Sequence, residues 1–256
     1  MLAAMPNHLT IVTGSSRGLG AALVAQRLLP GHKVLGIARQ THPGLQAQAD
    51  AAGVPFEQWP MDLADAEPVA QRLHAWLRAT DPADLASATL INNAGVVGTL
   101  APLHQVPLAD VCQGLRVGLE SVMLLTAVFL DATRAWPGQR NVLNISSGLG
   151  RHAMAGSAVY CAAKAGMDHF SRAVALEQAG LPNPARVVAM APGVIDTDMQ
   201  AQLRGSDAAQ FPDRARFVKL AADGALVSPQ ACATALLARL ARADFGQQPV
   251  GDVREP

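Results

Sequence analysis

Short apolar runs rich in β-branched residues alternate with longer alanine- and leucine-rich stretches of helical spacing along this 256-residue chain. The short runs are LTIVT (9–13), KVLGIA (33–38), PFEQWPM (55–61), ATLINN (88–93), NVLNIS (141–146), ARVVAMA (185–191) and QPVGDV (248–253), and each predicts a strand. Helical spacing falls near 18–29, 64–79, 107–135, 157–179 and 229–242. Strands joined through helices must cross over the sheet, so this order predicts an α/β fold. Its sheet is seven-stranded, mostly parallel and covered by helices on both faces. One interval breaks the alternation. Residues 196–227, with RGSDAAQFPDRARF inside, show no strand and predict an irregular insertion serving as a lid or substrate loop. Leu203, Phe211, Phe217 and Leu220 within it need something to cover, which weighs against a disordered surface excursion.

Composition narrows the classes. Half the residues are apolar, enough to cover both faces of a buried sheet. Acidic and basic residues balance at 20 each, so no broad field favours nucleic acid or an anionic membrane. The three cysteines, Cys112, Cys161 and Cys232, are scattered and odd in number, which excludes a disulfide framework and suggests a reducing compartment. The seven histidines show neither HxH nor HExxH spacing, so no metal site is expected. No repeat or low-complexity linker divides the chain, and residues 1–256 are read as a single domain. The segment ahead of the first strand lacks a basic region followed by an apolar core. The longest greasy run, SVMLLTAVFL (121–130), is too short to span a bilayer, and a cytoplasmic protein is expected.

The candidate chemistry begins at TGSSRGLG (13–20), which leaves the first strand and opens the first helix. Gly14 permits a tight turn, Gly18 lets the backbone approach a pyrophosphate, and Gly20 allows close helix–strand packing. The helix N-terminus then turns free N–H groups and a positive dipole end toward phosphates. After the second strand comes GIARQ, with Ala38 and Arg39 where NAD sites place an acid. Arg17 and Arg39 suit a ribose 2′-phosphate through charge-assisted bonds; the plainer alternative is a pair of solvent-exposed arginines.

The spacing G-x-x-x-G-x-G, with NNAG (92–95), YCAAK (160–164) and PGVIDT (192–197) in that order, resembles the short-chain dehydrogenase/reductase family over essentially the whole chain. The resemblance implies a doubly wound Rossmann domain, NADP(H) as cofactor and a small carbonyl substrate. It implies cofactor contacts from Gly14, Ser16, Arg17, Gly18, Leu19 and Gly20, from Arg39, and from Asp62 and Leu63 in MDL beside the adenine. Asn92, Ala94 and Gly95 would run beside the cofactor, and Pro192, Gly193, Ile195 and Thr197 would face the nicotinamide carboxamide. PGVIDT read by itself is also a plain strand-exit turn.

Tyr160 is the chain's single tyrosine, and Lys164 lies one helical turn on. A free phenol titrates near ~10 and is a poor acid or base at neutral pH, but a neighbouring ammonium and a cationic nicotinamide favour the phenolate. By the resemblance, Tyr160 is the general acid/base, while Lys164 tunes it and holds the nicotinamide ribose. Ser147, thirteen residues upstream, bonds the substrate oxygen; Ser146 is the adjacent alternative, and the count favours Ser147. By residue pattern alone, Tyr-x-x-x-Lys is also a common surface pair. One position departs from the family: Gly118 in RVGLESV stands where members often carry an asparagine that orders a water against the lysine. A mid-helix glycine is unfavourable by roughly 1 kcal/mol, so a kink or a water is expected there.

The tail, residues 224–256, lacks the TG…VDGG ending of many oxoacyl and sugar members. Asp198–Met199, LVSPQ and DVRE are similar to sepiapterin reductases and bacterial benzil (α-diketone) reductases. The implied substrate is an α-dicarbonyl or a pterin-like ketone, with Asp252 as a substrate contact or, equally, a strand-end acid in solvent. Other readings are reduction of 3-oxoacyl, steroid or quinone carbonyls, or a non-catalytic NADP-binding sensor or scaffold. The resemblance and the apolar run VMLLTAVFL also imply a homodimer packed through the helices at about 116–135 and 157–179.

Overall fold

The computed structural model describes residues 7–255; the expectation about a leader, and the outer bounds of the 1–256 domain, lie outside the described residues. Seven strands form one sheet: β1 (Asn7–Thr13), β2 (His32–Ala38), β3 (Phe56–Pro60), β4 (Leu85–Asn92), β5 (Gln139–Ile145), β6 (Arg186–Ala191) and β7 (Val250–Asp252). Their order is β3-β2-β1-β4-β5-β6-β7, and all six pairings are parallel. The order reverses between β1 and β4, so the turns leaving these two strands diverge and open a crevice at the carboxyl end of the sheet.

The nine α-helices among the described residues are α1 (Gly18–Ala25), α2 (Pro43–Ala52), α3 (Ala66–Ala79), α4 (Leu108–Leu115), α5 (Ser121–Ala132), α6 (Ala158–Ala179), α7 (Asp198–Gly205), α8 (Arg214–Ala222) and α9 (Pro229–Leu240). Successive side chains of β1 feed opposite layers. Val12 packs with Leu23, Leu45 and Leu236 beneath α1, α2 and α9, while Ile11 packs with Leu73, Phe129 and Val174 beneath α3, α5 and α6. A sheet covered on both faces needs strands that are apolar throughout, and β1 is buried from Leu9 to Thr13.

Three elements differ from the sequence expectation. Helix α2 lies where no helix was expected. Its HPG start reads as a turn, yet Pro43 occupies the first turn, the His42 ring accepts from Leu45 N at 3.2 Å, and Gly53 closes the helix at φ 62°. Residues 196–227 are not an irregular insertion but carry α7 and α8, two short helices separated by Ser206–Asp213. The base of this excursion is closed by Ile195–Val227 pairing, with Asp196 N donating to Val227 O at 2.9 Å and Val227 N to Val194 O at 3.0 Å.

The helix expected at 107–135 is interrupted. A single π turn, Arg116–Glu120, joins α4 to α5, and Gly118 sits inside it. A Cβ on Gly118 would lie 3.0 Å from Ala163 Cβ on α6, so the glycine lets the two helices touch beside Lys164. Gly114 and Gly166 act alike, each leaving room for Val159 and Leu119 respectively. Gly118→Asn is therefore expected to overpack this contact and destabilise the fold by about 1–3 kcal/mol, a fall of about 2–12 °C in Tm for a chain of this size. A thermal melt equal to that of the parent protein would contradict this account of the π turn.

Candidate active site

The crevice begins with two backbone turns that approach more closely than side chains permit. Gly14 (φ 66°) leaves β1, and a Cβ there would lie 3.0 Å from Ala94 Cα. The turn after β4 is stapled to it: Asn93 N and Ala94 N donate to Thr13 Oγ1 at 2.9 and 3.0 Å, and Asn93 Nδ2 donates to Thr13 O at 2.9 Å. Helix α1 starts directly beyond, with no side chain capping it and no acid in its first turn. Its first N–H groups and positive end are left for an anion.

A cavity of about 410 Å³ runs along these turns. Of the sequence-predicted cofactor residues, Gly14, Ser16, Arg17, Gly18, Leu19, Arg39, Asp62, Leu63, Ala94, Gly95, Tyr160, Lys164, Pro192, Ile195 and Thr197 line it. Five other candidates do not. Gly20 lies behind the turn, where a Cβ would fall 2.1 Å from Gly14 O, so its contribution is packing rather than contact. Gly193 (φ 81°) turns the chain beneath Arg254. Ser147 stands just outside the wall, beside Tyr160. The remaining two are corrections.

Asn92 is 1% exposed, and its amide donates inward to Asn144 Oδ1 at 2.8 Å and Thr126 Oγ1 at 3.2 Å. The β4 pleat turns Asn92 into the core and brings Asn93 to the cavity wall instead. Asn93 was legible as part of NNAG, but only the strand's end point decides which asparagine faces out. Asp252, expected to meet substrate, is 6% exposed and absent from the wall. Arg254 grips it with two bonds of 2.8 and 2.7 Å, and Arg151 stands 3.7 Å away. The Arg254 bonds, against the cost of burial, hold its carboxyl below the usual carboxylate range, so it is a saturated ion rather than an open contact.

Tyr160, Lys164 and Ser147 come together. Lys164 is 4% exposed; its ammonium donates to Ile145 O at 2.6 Å and sits 5.7 Å from the centre of the Tyr160 ring. Ser147 accepts from Leu149 N at 3.1 Å, which starts a short 3-10 turn and holds its hydroxyl in place. Burial pushes the Tyr160 phenol above its ordinary pKa, opposed by a hydrogen bond with Ser147. That differs from the lowering expected from Lys164. The ammonium lies over the ring, and desolvation is the largest influence on the phenol. In the protein alone, Tyr160 is thus held protonated. Burial likewise drives Lys164 down to about 8, with Asp168 opposing the fall.

Beside Tyr160 an apolar cluster ties the excursion to the rest of the chain, and Asp198 and Met199 at the start of α7 line the cavity. Leu203 and Phe211 are buried against Val97, Leu100 and Met154, and Tyr160, Met199 and Phe217 pack on the same cluster. At the other end, Arg39 is exposed on the rim, whereas Arg17 is ion-paired with Asp198 at the start of α7. No helix among the described residues is long and apolar enough to cross a membrane.

Comparison with known proteins agrees with this arrangement. The family model for short chain dehydrogenase matches residues 8–208. The chain is 33% identical to benzil reductase ((S)-benzoin forming) of Bacillus cereus, over 93% of this chain and 95% of that protein. It is 34% identical to sepiapterin reductase of Rattus norvegicus, covering 92% of each. A crystal structure of a short-chain dehydrogenase/reductase from Burkholderia vietnamiensis superposes with a TM-score of 0.65 at 33% identity, covering 98% of this chain and all of that one.

The position of Lys164 makes a pH-dependent expectation. Its folded-state pKa is lowered, so the ammonium persists below about 8 and is lost above it. A ligand held by that ammonium is therefore expected to bind progressively less well as pH rises through about 8. Titrating NADPH affinity by fluorescence between about pH 6 and 10 checks this, and a flat profile would contradict it.

Proposed function

This chain belongs to the short-chain dehydrogenase/reductase family, and from that premise we propose that it is an NADPH-dependent reductase of small carbonyl compounds. The single observation that carries the reading is the meeting of Ser147, Tyr160 and Lys164 at the end of a cavity that starts on an uncapped helix N-terminus. The cavity fits a dinucleotide. Gly14 and Gly18 adopt positive φ, 66° and 54°, which lets two peptide turns and the α1 amides face a pyrophosphate. Asp62 and Leu63 would flank an adenine, Arg39 would meet a 2′-phosphate, and Lys164 would reach the nicotinamide ribose. Gly95, whose Cβ position is 3.8 Å from Lys164 Nζ, leaves the approach to that ammonium open. Ile195 and Thr197 would hold the carboxamide end. When bound, the dinucleotide supplies the hydride.

The chain's own residues supply position and a proton. Ser147 donates to the substrate oxygen, and Tyr160, held protonated by burial, transfers its phenolic proton to the same atom. Lys164 stabilises the phenolate that results. The lid residues exclude water over the reacting carbon.

The substrate class favoured here is an α-dicarbonyl with apolar flanks. Met199 lines the cavity, Leu149, Met154, Leu203 and Phe211 pack in one apolar cluster with Tyr160, and the acid at 252 is already saturated by two arginines. The second reading, a pterin-like side-chain ketone, rests on the similarity to the rat enzyme. We read the chain as one domain, working in a reducing cytoplasm with its three cysteines unpaired, and as a homodimer. The dimer reading is supported by Leu115, Met123 and Leu176, 38%, 43% and 78% exposed on the α4–α5 rod and α6. A monomer by light scattering at micromolar concentration would overturn it.

The central test is NADPH oxidation with benzil, sepiapterin, simple mono-ketones and oxoacyl thioesters. Benzil is expected to be reduced with the highest kcat/KM and at one carbonyl. Tyr160→Phe is expected to lose at least ~100-fold in kcat while still binding NADPH. Wild-type-like turnover in that variant would remove the phenol from the mechanism, and a clear preference for mono-ketones would remove the dicarbonyl assignment. Arg39→Asp is expected to weaken NADPH relative to NADH by about 10-fold or more, since it replaces attraction with repulsion at the 2′-phosphate. Equal efficiency of the parent protein with both cofactors would refute the preference.

A further inference from the structure

The mechanism above leaves one buried ionisable group beside the site without a task. Asp168 lies one turn beyond Lys164 on α6 and is 1% exposed. Its Oδ1 accepts a hydrogen bond from the hydroxyl of Ser146, which lines the cavity next to Ser147. Its Oδ2 has no hydrogen-bond partner among the described residues. Space for that oxygen is kept by Gly150, where a Cβ would lie 2.6 Å from Oδ2 and 3.0 Å from Lys164 O. Leaving one oxygen of a buried carboxylate unpartnered is costly, and an apolar residue of similar size would avoid that cost.

We propose that Asp168 is a positioning residue for the reaction, which fixes the Ser146–Ser147 strand exit and keeps the Lys164 ammonium charged in its buried place. This rests on the reductase reading of the same site. The geometry joins Ser147 and Lys164, the two residues that act beside Tyr160, through one acid. Ser146 hangs from Asp168 and Ser147 follows it in the chain. Lys164 is bound to Ile145 O, the carbonyl just before Ser146. Moving Asp168 therefore moves both the serine and the acceptor that orients the lysine. The field acts in the same direction. Burial drives Lys164 toward neutrality, and Asp168 is the charge that opposes it. Asp168 is itself pushed up by burial, against the Ser146 hydrogen bond and the charges of Arg151, Arg172 and Lys164, which favour the carboxylate. Arg151 comes from the turn after the 3-10 segment and Arg172 from the next turn of α6, so cations on two sides oppose that rise.

The arrangement also bears on Gly118. The asparagine commonly found at that position is absent, and the glycine leaves only backbone near Ala163. The lysine is then held by the Ile145 carbonyl of β5 and by the charge at Asp168, one turn on along α6 itself.

The test compares Asp168→Asn, Ser146→Ala and the parent protein, reading NADPH affinity and kcat for benzil reduction across pH. Asp168→Asn is near-isosteric and removes the charge. Its alkaline limb, at about 8 in the parent by the Lys164 titration, is expected to move down by about one pH unit, in binding and in kcat alike. Ser146→Ala keeps the charge, so its limb is expected to stay in place while kcat falls. A loss of kcat in Asp168→Asn with the limb unmoved would mean that Asp168 only supports the fold, and would overturn the proposal. If Asp168→Asn does not fold, Asp168→Ser, smaller and also uncharged, gives the same readout. Should the parent protein oxidise NADPH with no carbonyl in the panel, the reductase reading fails, and the limb in NADPH affinity still decides the role of Asp168.

Discussion

The whole site depends on how closely peptide backbones approach at the point where the sheet order reverses. At Gly20 a side chain would lie 2.1 Å from Gly14 O, and at Gly14 one would lie 3.0 Å from Ala94 Cα. These contacts place the first turn of α1, the exit of β1 and the exit of β4 within one small volume. No residue with a Cβ fits at Gly20 without displacing backbone, so this requirement is steric before it is chemical. The Thr13 hydroxyl completes the constraint by accepting two amides from the opposite turn. A threonine buried to 1% at a strand end would otherwise waste its polarity; here it joins two walls of the cavity.

A second constraint is a polar seam through the core behind the cavity. Asn92 on β4 donates to Asn144 on β5, which donates to Ser171 on α6 at 2.9 Å, and Ser171 donates back to Met167 O at 2.8 Å. All three side chains are almost wholly buried. Each bond contributes only about 1 kcal/mol net, but breaking one strands a buried polar group at a cost of about 1–3 kcal/mol. The seam therefore selects one register of α6 on the sheet. Since Tyr160, Lys164 and Asp168 all ride on α6, that register sets where phenol, ammonium and carboxylate stand relative to β5. An all-apolar α6 would pack as tightly while leaving its rotation less defined.

What the sequence disclosed follows the same physics. Periodicity found all seven strands because parallel strands buried on both faces are apolar throughout, and β1 and β6 match the expectation within two residues. The glycine turn and the Tyr160–Lys164 pair were legible because steric need and helical spacing leave a signature in residue type. Helix α2 was not, because its start, HPG, carries turn residues that here serve as a cap and a first helical turn. Helices α7 and α8 were hidden by their shortness and by Gly205 and Pro212 at the break between them. The choice between Asn92 and Asn93 turned on a single residue of strand length. Asp252 was misplaced because its partner, Arg254, lies two positions on, and sequence does not show whether such neighbours bind each other or face a ligand.

The excursion at 196–227 can be weighed by its three attachments. Its base is hydrogen-bonded backbone, Asp196 N to Val227 O and Val227 N to Val194 O, and continues the strand exit of β6. Its middle is an apolar face in which Phe211 is fully buried and Leu203 is 9% exposed. At about 25 cal/mol per Å², burying two such side chains is worth several kcal/mol. Its mouth is held by Arg17 and Asp198, whose side chains are 68% and 72% exposed. An ion pair so open to water is worth about 0–1 kcal/mol. Opening at the mouth is therefore cheap, while peeling the middle is not. A phosphate offering two charges and several acceptors competes with Asp198 for Arg17 on favourable terms. On the proposed reading, the weak tie sits at the phosphate end of the cavity and the strong ones beside the reacting carbonyl.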